Sequence, residues 1–195
     1  MKKTIKHFCL ATLTLLAFAS CKKNKSNDPK PETPLEVGGG EAENITRVVL
    51  FLSNGTNKDT VIFNDPKGNG TNVTVDSLVL KANVTYSVIV KIYDDTKNPI
   101  ELVSDEILKE ANYHRFHYTF SAITGNPSIS TTILDKDSQT PTQPLGLTFD
   151  LKPGAGFGKG AFKVSLRHFA EGIDKTENPN DGQQDLSVEF PTRIF

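Results

Sequence analysis

From Ile45 onward, apolar and polar residues alternate along most of the chain. The runs 45–53, 60–63, 84–93, 113–121, 128–134, 145–152, 160–169 and 185–194 are rich in β-branched and aromatic residues, and most are bounded by Gly, Pro, Asn or Asp. A period of two places every second side chain on one face of a strand. Around residue 165 this sets Phe162, Val164 and Leu166 against Lys163, Ser165 and Arg167. The pattern predicts an all-β fold, an immunoglobulin-like antiparallel β-sandwich of about eight or nine strands, with core on one face of each sheet and water on the other.

One segment departs from this period. After Pro99, the apolar residues Val103, Ile107, Leu108 and Ala111 recur at helical spacing, and Ser104 or Asp105 is placed to cap a single inter-strand helix over about residues 101–112.

The N-terminus reads as an address. Lys2, Lys3 and Lys6 precede an apolar run, Phe8 to Ser20, that ends in small residues before Cys21. This is the layout of a secretory signal peptide over residues 1–20. The run is shorter than the about 20 apolar residues a helix needs to cross a bilayer. The ending Phe18-Ala-Ser-Cys21 resembles a bacterial lipobox, with Phe18 where Leu is usual. That resemblance implies diacylglycerol on Cys21, cleavage before it and acylation of the new N-terminus. Each buried CH₂ contributes about 0.8 kcal/mol, so several acyl chains together hold a protein on a leaflet. Residues 21–43 are polar and rich in Lys, Pro and Gly, the composition of a flexible tether, which leaves 44–195 for the sandwich.

Charge and cysteine content narrow the chemistry. The chain has 22 basic and 23 acidic residues; losing residues 1–20 removes three lysines and no acid, leaving 19 against 23 and a formal charge of −4. Nucleic-acid binding proteins neutralise phosphates with a basic excess, so nucleic acid is not an expected partner. Of the two cysteines, Cys9 leaves with the signal and Cys21 carries lipid, so no thiol remains for a disulfide, a zinc–thiolate site or a nucleophile.

Glu106, Glu110 and His114 stand at i, i+4 and i+8, which would align them on one face of a helix reaching residue 114. With His168 they form a candidate set of ligands for a divalent ion of zinc type. His117 shares a strand with Phe116, Tyr118 and Phe120 but lies at the opposite parity, so it is expected on the exposed face. The loops 64–70, 135–139 and 178–182 combine Asp and Asn with small residues, and Asp135 and Asp137 are the weak candidates for calcium ligands among them. None completes a calcium loop, and turn preferences of Asn, Asp and Gly account for all three. The glycines of residues 154–160 lack the Gly-Lys-Ser/Thr ending of a phosphate loop and read as a β-turn. No nucleophile elbow or HExxH motif is present, so no enzyme is expected.

The acidic segment ending in His114, the aromatic strand after it, Asp135-Lys-Asp137, Pro144-Leu-Gly-Leu147, Gly156 to Gly160, Leu166-Arg-His168 and Asp185 to Pro191 occur in an order that resembles a family of small Bacteroidetes-type envelope lipoproteins over about residues 40–195. Members often carry the label of a type 1 periplasmic binding fold, a larger α/β architecture that a chain with one helix does not match. The resemblance implies an outer-membrane lipoprotein on the periplasmic face, a binding module of unknown ligand and an accessory of a TonB-dependent receptor in nutrient or metal uptake. The alternative is a structural lipoprotein that contacts envelope proteins or glycans. In that lineage Asp59-Thr-Val61 and Asp76-Ser-Leu78 resemble O-glycosylation sequons, with Thr60 and Ser77 as acceptors.

Overall fold

The structure is a computed structural model that describes residues 44–195. Cys21, the signal segment and the tether lie outside the described residues. Ten strands and one helix follow in the order β1 (Arg47–Asn54), β2 (Asn57–Asn64), β3 (Thr74–Val75), β4 (Leu78–Leu80), β5 (Tyr86–Tyr93), α1 (Val103–Lys109), β6 (His114–Gly125), β7 (Ile129–Ile133), β8 (Thr148–Pro153), β9 (Gly158–His168) and β10 (Gln183–Ile194). They build a six-stranded sheet in the order β3-β2-β1-β5-β8-β7 and a four-stranded sheet in the order β4-β10-β9-β6. The expected all-β sandwich is therefore the observed architecture. Its pairing differs in one place, because β4 runs parallel to β10 while every other pair is antiparallel.

Alternation decides which side chains the two sheets bury. Val48, Leu50 and Leu52 of β1 and Val88, Val90 and Ile92 of β5 line one wall of the core, while Phe116, Phe162, Val164, Leu166, Val188 and Phe190 line the other. Tyr118 completes the aromatic row by stacking on Phe149 with ring centroids 3.9 Å apart, and its hydroxyl donates to the Gly146 carbonyl. Gly146 itself holds φ at +107°, and a Cβ there would stand 2.7 Å from the Phe116 Cβ. Both the backbone angle and the close approach require glycine.

Helix α1 is shorter than the expected 101–112. It stops at Lys109, with Glu110 as its C-cap, and His114 already opens β6. Its N-cap is Leu102, without a side-chain cap. Ser104 instead uses its hydroxyl outside the helix, accepting the Ile92 N–H at 2.6 Å in a buried bond that fastens α1 to β5.

Candidate metal centre

Strand β6 pairs with β9 so that His114 stands directly opposite His168. Both occupy the core-facing parity, His114 two residues before Phe116 and His168 two residues after Leu166. Opposed residues on one face of an antiparallel pair bring their Cβ atoms within about 5 Å. The two imidazoles accordingly stack, 4.7 Å between centroids and 11° between planes, with Tyr113 edge-on against His168.

The third member comes from β10. Its pairing with β9 slips between Gln184 and Leu186, so Asp185 is an extra residue in the ladder. A bulge of this kind re-aims a side chain. Here it carries the Asp185 carboxylate to the two histidines, its Oδ2 3.7 Å from His114 Nε2, with the two side chains only 6% and 2% exposed. Nitrogen and oxygen atoms of His114, His168 and Asp185 lie within 4.8 Å of one another. Four-coordinate bonds of 2.0–2.2 Å place ligand atoms about 3.3–3.6 Å apart. The His114–Asp185 pair is near that spacing already, and no pair has to close by more than about 1.2–1.5 Å around an ion.

The protonation pattern favours a cation between them. His114 Nδ1 lies 3.2 Å from the Glu110 carbonyl, which can only accept, so Nδ1 carries the proton and Nε2 offers a lone pair. That lone pair faces Asp185 Oδ2, a buried oxygen with no hydrogen-bond partner among the described residues. Burial, with smaller contributions from His168 and Lys175, lowers the His114 pKa to about 4. Burial raises that of Asp185 to about 6, against the pull of His168 and Arg167. At neutral pH two buried acceptors therefore face each other.

The sequence offered two of these three residues. It paired His114 with His168, and the strand register brings them together. Glu106 and Glu110 do not join them: the helix ends before residue 114, so the i, i+4, i+8 line never forms, and Glu110 contributes its backbone carbonyl rather than its carboxylate. Asp185 escaped notice because a bulge leaves no periodic mark; the only available signal was an acid at the start of an apolar alternation.

The calcium candidates have other employment. Asp135 accepts the N–H groups of Gly146 and Leu147, both at 2.8 Å. Asp137 accepts from Gln139 and Gln143 and meets the Lys175 ammonium at 2.8 Å, with neither side chain exposed at all. Burial raises the Asp137 carboxyl, but the Gln143 N–H and Lys175 bring it below its ordinary value. An ammonium stands where a calcium ion would need to sit. Lys175 also donates to the carbonyls of Ala111, His114 and Pro144, so it ties the helix exit, the start of β6 and the 135–147 loop into one knot beside the histidines.

His117 is buried rather than exposed, at 7%. Thr60 and Ser77, the expected glycosylation acceptors, are both exposed. Among the described residues no helix is long and apolar enough to cross a membrane.

Fold and site together define a two-layer β-sandwich with a His₂Asp cluster at one end of its four-stranded sheet. Comparison with protein-family models, with curated proteins and with solved structures finds no match.

Proposed function

We propose that this protein is a non-catalytic binding module whose ligand is a divalent ion of zinc type, held by His114 Nε2, His168 and Asp185. The observation that carries this reading is the 3.7 Å approach of the His114 lone pair to an unpartnered, buried Asp185 oxygen. Imidazole and carboxylate suit zinc and neighbouring transition ions, and three protein ligands leave a fourth position for water or a partner's side chain. The Glu110 carbonyl behind His114 Nδ1 is the outer-shell partner that metal-bound histidines commonly have.

The same proposal places the module on the outer membrane through lipid at Cys21, with residues 22–43 as tether, beside a TonB-dependent receptor in metal or nutrient uptake. A structural lipoprotein is the second reading. It draws support from Phe51 and Ile89, opposed on the outer face of the six-stranded sheet and 41% and 48% exposed, an apolar pair suited to contact with another protein.

Calorimetric titration of the metal-stripped protein with zinc tests the first reading. One ion per chain is expected, with binding at least tenfold weaker in His168→Ala and in Asp185→Asn. Absence of saturable binding up to millimolar zinc, in a protein that circular dichroism shows to be folded, would refute it. Retention of the Cys21→Ser protein in the membrane fraction would remove the lipid anchor.

A further inference from the structure

On the rung next to the two histidines, Arg115 of β6 stands directly opposite Arg167 of β9, and two rungs further, next on the same face, His117 stands opposite Ser165. These residues have the parity opposite to Phe116 and Leu166, so they lie on the outer face of the four-stranded sheet, behind the metal candidate. Like charges directly opposed across a ladder destabilise it. An exposed pair escapes this cost by solvation, but Arg115 is 8% exposed and Arg167 half-buried, and beside them His117 and Ser165 are 7% and 3% exposed.

Three nitrogens of this group, Arg115 Nε, Arg167 Nε and His117 Nε2, are buried without a hydrogen-bond partner among the described residues. Buried polar groups left unpaired are rare and costly, and three on adjacent rungs of one face define a single unmet requirement. The chain's own acids meet it poorly. Glu177 Oε1 lies 3.8 Å from Arg115, beyond hydrogen-bond distance, on a side chain 94% exposed. Asp181 acts on His117 only through its charge, and its two oxygens already accept from Thr176 and Asn178 within its own loop.

We propose that Arg115, Arg167 and His117 form a binding site for a small tetrahedral oxyanion, a phosphate or sulfate group. Two guanidinium groups borne on directly opposed strand positions can share one such group, and arginine is the residue whose planar fork matches its oxygens. His117 Nε2 supplies or receives a third hydrogen bond from the same face. Glu177 then acts as a weak internal competitor that an entering anion displaces from Arg115. The site rests on the orphaned nitrogens and the opposed arginines and needs no ion at His114, His168 and Asp185, although Arg167 also pulls on the Asp185 carboxyl.

Titration of the folded protein with inorganic phosphate and with sulfate, followed by amide chemical shifts of β6 and β9 against chloride at matched ionic strength, tests the site. Saturable shifts centred on residues 115–117 and 165–167 are expected for both anions. Arg167→Gln should weaken binding at least tenfold, and Glu177→Gln, an exposed change that leaves the fold intact, should tighten it several-fold; either change supports the site. Glycerol phosphate separates two sources of the same chemistry: comparable binding points to a phosphomonoester such as a headgroup, and binding of inorganic phosphate alone points to the free ion. Absence of saturable shifts in wild type, or affinities unchanged in both variants, overturns the proposal. If Arg167→Gln does not fold, the Glu177→Gln affinity decides.

Discussion

Replacing Lys175 by Met tests whether the buried ammonium holds the site end of the sandwich together. The change keeps the length of the apolar stem but removes the charge from four oxygens, Asp137 Oδ2 and Ala111 O at 2.8 Å and the His114 and Pro144 carbonyls at 3.1 Å. Asp137 keeps its two backbone donors, yet its carboxylate is left charged at 0% exposure. Removing one partner of a fully buried ion pair costs about 3–5 kcal/mol. Against a typical total of about 5–15 kcal/mol the variant should fold, but marginally. For a domain of this size the loss corresponds to a melting point lowered by about 6–20 °C. Asp137→Asn in the same background removes the stranded charge while leaving an oxygen for Gln139 and Gln143. The double variant should therefore lose less than the two single variants added together, by about 1–3 kcal/mol. With no Trp in the chain, urea unfolding followed by far-ultraviolet circular dichroism is the suitable assay. A Lys175→Met midpoint within about 0.5 kcal/mol of wild type, or strict additivity of the pair, would refute the reasoning.

Gly146→Ala should cost roughly 2–4 kcal/mol, combining a strained φ with a Cβ 2.7 Å from Phe116, and a thermal melt within 2 °C of wild type would contradict it. Ser104→Ala leaves the buried Ile92 N–H without its acceptor and should cost about 1–3 kcal/mol in urea unfolding, with α1 exchanging its amide hydrogens faster than β5. Acid should destabilise the metal-free protein. His114 and His117 both fall to about 4 from 6.5, so the unfolded chain binds more protons between those values and stability declines as pH drops through that window. Asp185, raised from 3.8 to about 6, acts in the opposite sense, because there the folded state holds the extra proton. The net slope is about one proton, or about 1.4 kcal/mol per pH unit, and Asp185→Asn should steepen it; a flatter profile in that variant would reverse the assigned signs.

The sandwich was legible because burial on one face imposes alternation that survives in the sequence, as in Phe162, Val164 and Leu166. Strands β3 and β4, two and three residues long, left too few positions for a period to show. The opposed histidines were legible as residue types but not as neighbours, since register is a property of two distant segments. Their carboxylate partner was hidden by the bulge at Asp185, and helix periodicity offered Glu106 and Glu110 in its place. His117 looked exposed because parity reports a face and not what lies over it. Lys175 gave no signal at all: a lysine in a polar segment ordinarily points to water, and only long-range packing around Asp137 shows otherwise.

Strand β10 has a consequence for how the chain is handled while it is being made. It comes last among the described strands, yet it sits inside the four-stranded sheet, between β4 and β9. Its partner Leu78–Leu80 precedes it by more than a hundred residues, so the sheet cannot close around β10 until residue 194 is free to pair. The four-stranded sheet is therefore completed late in synthesis, and β4 waits with its edge unpaired until β10 exists.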